Sequence, residues 1–241
     1  MKQFAIIGID SFGKRVLDEL IEADCEILII DKSREVVDFY KDRVASAFIA
    51  DVLNEETIQK LIPRTIDAAI IDLGGNREAS ILVTNYLKKM GIREIIAKAE
   101  SNEHGEILEV VGATKVVFPS KEAAKRIAPL LLSSILFSYL PISEDFIIAE
   151  IKVPERFIGK TLLEINLRKE YGLNVIALRK EEGQAYMLFT PEHILQRDEV
   201  FLVGGIEADI VKLADVVLIK PRKKLQTFFK RFFSRFKSNH D

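Results

Sequence analysis

The sequence predicts an α/β fold: a doubly wound parallel sheet followed by a long helix and a small α+β module. Three observations carry this. Short apolar runs alternate with amphipathic helical patterns up to about residue 119, as a parallel sheet covered on both faces requires. The first run, Phe4-Ala5-Ile6-Ile7, leads into Gly8-Ile9-Asp10-Ser11-Phe12-Gly13 and a helical pattern, and the second run ends in Asp31. That strand–turn–helix–strand–acid order is a Rossmann β-α-β unit. Beyond Pro119 the rhythm changes to strand-like alternation punctuated by Gly159, Gly172, Gly183, Gly204 and Gly205.

Taken in order, strands are predicted at 3–8, 26–31, 46–50, 67–73, 94–98 and 115–118. Between them lie helices near 12–22, 33–42, 54–61, 77–90 and 103–111, with Gly91 and Gly112 where helix C-terminal glycines belong. Residues 121–139 read as one long helix, charged at its start, apolar at its end and stopped by Pro141. Alternation resumes over 146–153, with further strands near 173–179, 185–189 and 199–203 and helices at 161–170 and 206–214. The expected domains are therefore 1–119, a linking helix at 120–142, a second domain at 143–219 and a tail at 220–241.

Apolar residues make up 48% of the chain and charged residues 30%, enough for a core and for solubility. The single cysteine, Cys25, cannot form an internal disulfide; it is expected to be a small core residue in a reducing compartment. His104, His193 and His240 are scattered, and no Cys/His spacing resembles a zinc site. Met1-Lys2 leads straight into a strand, so no signal peptide is expected. The longest uncharged stretch, 127–143, is shorter than the roughly 20 residues that span a bilayer.

In the G-x-G-x-x-G pattern the first glycine makes the turn, the second admits a pyrophosphate and the third lets helix pack on strand. Gly8 and Gly13 supply the first and third, but Asp10 stands at the second. A carboxylate about 4 Å from a phosphate costs on the order of 4 kcal/mol at an effective dielectric of 20. A helix N-terminus returns at most about 2 kcal/mol. Asp10 either takes the helix N-terminal amides itself or is bridged to a phosphate by a divalent cation, which leaves three options: no nucleotide, a nucleoside or AMP-like ligand, or a metal-assisted nucleotide. Asp31 is placed either to accept from ribose hydroxyls or to cap the helix beginning near Ser33. Asp51 either faces an adenine amino group or caps the next helix. Lys32 and Val52 follow these acids, and Gly74-Gly75 turns at the carboxyl end of the fourth strand. Lys98, ending the fifth strand, is either a ligand-facing cation or an exposed lysine. There is no nucleophile elbow, no P-loop lysine motif and no obvious proton donor near a nicotinamide position, and a lone His104 reads as a surface or capping residue. A Rossmann oxidoreductase is the rival reading to a non-enzymatic one.

With these residues in view, the chain resembles the RCK family, regulators of potassium conductance, of the Trk/Ktr type. The N-terminal resemblance rests on Ile6-Ile7-Gly8, Phe12-Gly13, Asp31, Ala50-Asp51, Ile95-Ile96-Ala97-Lys98-Ala99 and Gly112-Ala113-Thr114-Lys115-Val116-Val117-Phe118-Pro119. The second half is similar to TrkA-C domains through Val153-Pro154, Gly159-Lys160-Thr161-Leu162, Leu167-Arg168, Tyr171-Gly172, Asn174-Val175, Pro191 and Leu195-Gln196-Arg197-Asp198-Glu199-Val200. The resemblance implies a regulatory subunit, not an enzyme. It would sit on the cytoplasmic face of the membrane beneath a potassium channel or transporter, as dimers in an octameric ring, with residues 121–139 as the crossover helix. It implies ATP, ADP or NAD(H) in the first domain, held by Gly8, Ile9, Asp10, Ser11, Phe12, Gly13, Asp31, Lys32, Asp51, Val52, Gly74 and Lys98. It implies cyclic di-AMP in the second, at Arg168, Asn174, Val175 and Pro191. Related chains carry Gly and Arg where this one has Asp10 and Ser11. They also carry a cation-linked glutamate where this one has Ser120, with Glu122 as the nearest substitute. A cyclic-di-AMP receptor or scaffold whose first domain has lost its nucleotide is a further alternative.

From Lys220 onward eight Lys/Arg face one acid, leaving 27 basic against 36 acidic residues in 1–219. In residues 222–237 Leu225, Phe228, Phe229, Phe232, Phe233 and Phe236 share one helical face with a basic rim. This points to a membrane-surface helix, with self-packing as the alternative and nucleic acid disfavoured by the unbroken phenylalanine face.

Overall fold

The computed structural model describes residues 1–23, 25–180 and 184–214. The predicted tail lies outside the described residues. The chain forms two compact units, one covering Met1–Glu122 and a second beginning at Ala123.

The first unit alternates β1 (Gln3–Ile7), α1 (Ser11–Glu22), β2 (Glu26–Asp31), α2 (Arg34–Tyr40), β3 (Ser46–Ile49), α3 (Glu55–Leu61), β4 (Ala68–Ile71), α4 (Arg77–Met90), β5 (Glu94–Lys98), α5 (Asn102–Val111) and β6 (Lys115–Val117). All strand pairs are parallel, in the order β3-β2-β1-β4-β5-β6. Strand alternation sorts the core. Ile6, Ile27, Ile29 and Ile70 pack with Leu17 of α1 and Tyr40 of α2. Ala5, Ile7, Ala69, Ile71, Ile95 and Ala97 pack with Ile58 of α3, Val83 and Leu87 of α4 and Leu108 of α5. Cys25 is half-buried against the first of these clusters. The strand order reverses between β1 and β4, the switch point where such sheets bind ligands.

The predicted helix at 121–139 is corrected. The helix α6 (Pro119–Leu130) stops early, and β7 (Leu136–Pro141) follows. Pro129 sits in the last turn of α6, and Leu132 N–H bonds back to its carbonyl in a turn. The apolar run beyond it pairs antiparallel with β8 (Phe146–Lys152). A register shift between Leu136 and Ser138 sets the buried residues Leu136 and Tyr139 three apart, so the run mimics helical spacing. The supposed crossover helix is thus half helix and half strand.

The second unit continues with α7 (Leu162–Ile165), α8 (Leu167–Tyr171), β9 (Asn174–Lys180), β10 (Glu199–Ile206) and α9 (Glu207–Leu213). Its antiparallel sheet runs β7-β8-β10-β9. Inward residues Ile147, Ala149, Ile151, Phe201 and Val203 pack with Leu162, Ile165, Leu167, Ile210 and Leu213 of the helices. The helix predicted at 161–170 is two helices. Thr161 opens α7 with a reciprocal capping box to Glu164, and Asn166, at φ +40°, breaks it before α8. The strand predicted at 185–189 reduces to a single bridge between Met187 and Leu178.

Among the described residues, no helix is long and apolar enough to cross a membrane.

Candidate functional site

A cleft of about 450 Å³ opens at the carboxyl ends of β1, β2, β3 and β4. Its walls gather Gly8, Ile9, Asp10, Asp31, Lys32, Asp51, Val52 and Gly74, eight of the twelve residues expected to hold a nucleotide. Gly8 has φ +80°, and a Cβ there would lie 2.2 Å from the Asp72 carbonyl oxygen. Only glycine allows this approach of β1 to the end of β4. The Asp31 carboxylate accepts from Ile9 N–H at 2.7 Å and from Ser33 N–H at 2.8 Å. Each of its oxygens keeps a second acceptor position, as a ribose hydroxyl requires. Asp31 does not cap α2, because Ser33 does so through its hydroxyl. Nor does Asp51 cap α3: Asn54 takes that position, and Asp51 accepts from Leu53 N–H at 3.0 Å.

The other four residues do different work. Ser11 opens α1 and is exposed. Phe12 packs against the α1/α2 core cluster. A Cβ on Gly13 would lie 2.7 Å from the Gly8 carbonyl oxygen, so this glycine sets helix-to-strand packing. Lys98 does not line the cleft. Its ammonium lies 3.1 Å from Asp72, 3.2 Å from Glu100 and 3.3 Å from Asp10. Burial opposes the charge on Lys98, but bonds to Asp72, Glu100 and Asp10 outweigh it and raise its pKa.

The decisive group is Asp72, which follows the apolar strand Ala68-Ala69-Ile70-Ile71 and was not singled out from the sequence. Its signal was positional: an acid closing an apolar strand just before Gly74-Gly75, as Asp31 closes β2. Its side chain is fully buried. One oxygen accepts from Phe12 N–H at 3.0 Å and Gly13 N–H at 2.8 Å. The reading in which the Asp10 side chain caps α1 is therefore corrected. Asp10 makes no side-chain cap, and Asp72 satisfies these amides from the end of β4.

His104 is also corrected from a surface residue. It is 4% exposed, with Nε2 2.9 Å from Ser80 Oγ and Nδ1 accepting from Glu100 N–H at 3.2 Å. The Ser80 hydroxyl bonds Arg77 O at 2.7 Å, so the network assigns the ring proton to Nε2. Burial, with Arg77 nearby, lowers its pKa. Glu122 accepts from Phe118 N–H at 3.5 Å. Among the described residues, no three His, Cys, Asp or Glu side chains are grouped to hold a metal.

In the second unit a cleft of about 500 Å³ brings Arg168, Asn174, Val175 and Pro191 together. Asn166 and Phe189, which the sequence did not single out, line it too, with Leu162, Leu163, Leu167 and Leu173. Arg168 is exposed and has no ion-pair partner among the described residues. The loop at Pro191 is held by Leu163 N–H donating to Pro191 O at 2.8 Å. The two clefts differ in charge. The first is lined by Asp10, Asp31, Asp51 and Asp72 against Lys32. Among the described residues, the second has Arg168 and no acid.

Residues 4–119 match the TrkA-N domain and residues 147–217 the TrkA-C domain. Ktr system potassium uptake protein C of Bacillus subtilis (strain 168) is 33% identical over 217 residues, covering 90% of this chain and 98% of that relative. Ktr system potassium uptake protein A of the same organism is 30% identical over 209 residues, covering 87% and 94%. In three dimensions the chain is similar to the GsuK RCK domain, with a TM-score of 0.62 and 18% identity over 90% of this chain. It spans 47% of that larger chain. Two domain matches in order and two relatives matched along almost their whole length lead to one conclusion: the chain belongs to the RCK family of Trk/Ktr-type potassium uptake proteins.

Proposed function

We propose that this protein is a non-enzymatic regulatory subunit of a potassium uptake system, gating a membrane-embedded channel or transporter through ligands bound in its two clefts. In this reading it works as dimers assembled into a ring, on the cytoplasmic face of the membrane, with residues 222–237 as a membrane contact. Each ligand shifts the ring between two shapes by its differential affinity for them. The second cleft is the observation that carries the reading. A lone arginine beside leucines, Phe189 and Pro191 suits an anionic phosphate flanked by adenine rings, the chemistry of cyclic di-AMP. The first cleft takes the adenosine part of a ligand, with Asp31 toward the ribose and Ala50, Val52 and Leu53 toward the base. Both ring nitrogens of His104 are engaged within the protein, which supports a binding role over proton transfer.

Calorimetry with cyclic di-AMP tests the central claim. Arg168→Ala removes a charge-assisted contact of about 1.5–3 kcal/mol, so binding should weaken roughly 10- to 100-fold. Unchanged affinity would remove cyclic di-AMP from this cleft.

A further inference from the structure

We infer that the first cleft is specific for a nucleoside without phosphates, and that Asp10 and Asp72 set this specificity. The inference rests on the adenosine reading of that cleft and names its ligand class more narrowly.

A pyrophosphate site in this fold needs three things at the first turn: space, free amides at the helix N-terminus, and no fixed negative charge. Here carboxylates alter all three, Asp10 and Asp72 foremost. Asp10 occupies the position of the second glycine, lines the cleft and is 53% exposed at its side chain. The amides of Phe12 and Gly13 already donate to Asp72, and Ile9 N–H donates to Asp31. An incoming phosphate would find these donors aimed at the protein's own oxygens. Lys98 does not reverse the balance. It is 12% exposed and already shared among Asp72, Glu100 and Asp10. A diphosphate therefore does not fit the residues present.

The adenosine end is intact by the same criteria. Asp31 retains acceptor positions, and Val36, Ala50, Val52, Leu53 and Leu73 give an apolar wall. A neutral nucleoside meets no repulsion there, whereas each added phosphate brings negative charge toward Asp10. The cleft discriminates by charge at one end rather than by shape at the other.

Calorimetry of the full chain with adenosine, AMP and ATP, in buffer with EDTA to remove divalent cations, tests this. Wild-type protein should bind adenosine at least tenfold more tightly than ATP, with AMP between. Asp10→Asn keeps the side chain's size and removes its charge; Asp10→Gly also restores space. Both should improve ATP binding relative to adenosine by about tenfold or more. ATP binding to the wild type as tightly as adenosine, or an unchanged ATP-to-adenosine ratio in both variants, would overturn the inference and leave the adenosine reading standing. Failure of all three ligands to bind the wild type would overturn both. Asp10 is exposed, its side chain makes no capping bond, and Lys98 keeps Asp72 and Glu100 as partners, so neither variant should disturb folding; thermal melts of each verify this.

Discussion

At the scale of single residues, the first cleft depends on close backbone approach and on one buried acid. A Cβ at position 8 would overlap the Asp72 carbonyl at 2.2 Å, and the backbone there has φ +80°. Gly8→Ala combines left-handed strain with a backbone clash and should cost about 2–5 kcal/mol in urea denaturation. Asp72→Ala should also be severe. It removes the acceptor for Phe12 and Gly13 amides and strips the nearly buried Lys98 of its most buried partner. A loss of about 3 kcal/mol is expected, read as a shift in the denaturation midpoint. Exposed Asp10, by contrast, should be replaceable with little change in that midpoint.

At the scale of elements, His104 ties α5 to α4 and to the end of β5. Its Nε2 meets Ser80 of α4 and its Nδ1 receives Glu100 N–H just beyond β5. A proton on Nδ1 would face that N–H and break the bond. Burial, the main cause, holds the folded pKa below the ordinary value, and Arg77 adds to it against a smaller effect of Glu100. Above about pH 6.5 neither the folded nor the unfolded chain carries this proton. Below that, the unfolded state takes it up first, so this contribution to stability falls as pH drops toward the lowered folded pKa. Urea midpoints of the wild type should therefore decline from pH 8 to pH 5.5. His104→Gln should start less stable at pH 8 and show a smaller decline. An equal decline in both would place the acid sensitivity elsewhere. Two breaks in pattern also belong at this scale. Pro129 turns the linking segment from helix to strand, and Asn166 divides α7 from α8 beside Arg168.

At the scale of the whole molecule, two units carry clefts of opposite character: among the described residues, one is lined by four aspartates and the other by Arg168 without an acid. Ligands of different charge should therefore act on different units. Hydrogen exchange with cyclic di-AMP should show new protection within 162–191, and adenosine within 8–79. A ligand at a hundred times its dissociation constant adds about 2.7 kcal/mol, ample for a visible change in exchange. Protection by cyclic di-AMP confined to 8–79 would reverse the assignment of the clefts.

Periodicity and turn residues were enough to read the parallel sheet. An all-apolar strand such as Ala68-Ala69-Ile70-Ile71 next to a capped amphipathic helix such as Arg77–Met90 is a local pattern. Strand-end residues were legible for the same reason: Gly8, Asp31 and Asp51 reach one cleft because strand ends in such a sheet share one edge. The apolar run from Leu130 to Leu140 was not legible, because a bulged strand and a buried helix bury residues at the same spacing. Nor was the role of Asp72. Its hydrogen bonds span about 60 positions to Phe12 and Gly13, and Lys98 reaches Asp10 across a separation of 88. The sequence by itself determined the parallel sheet of the first unit, whose alternating elements follow from local pattern, and the family, which follows from motifs in order along the chain. Only the tertiary structure decided which carboxylate occupies the helix amides and where Lys98 spends its charge, because those depend on distant strand ends brought within hydrogen-bond range.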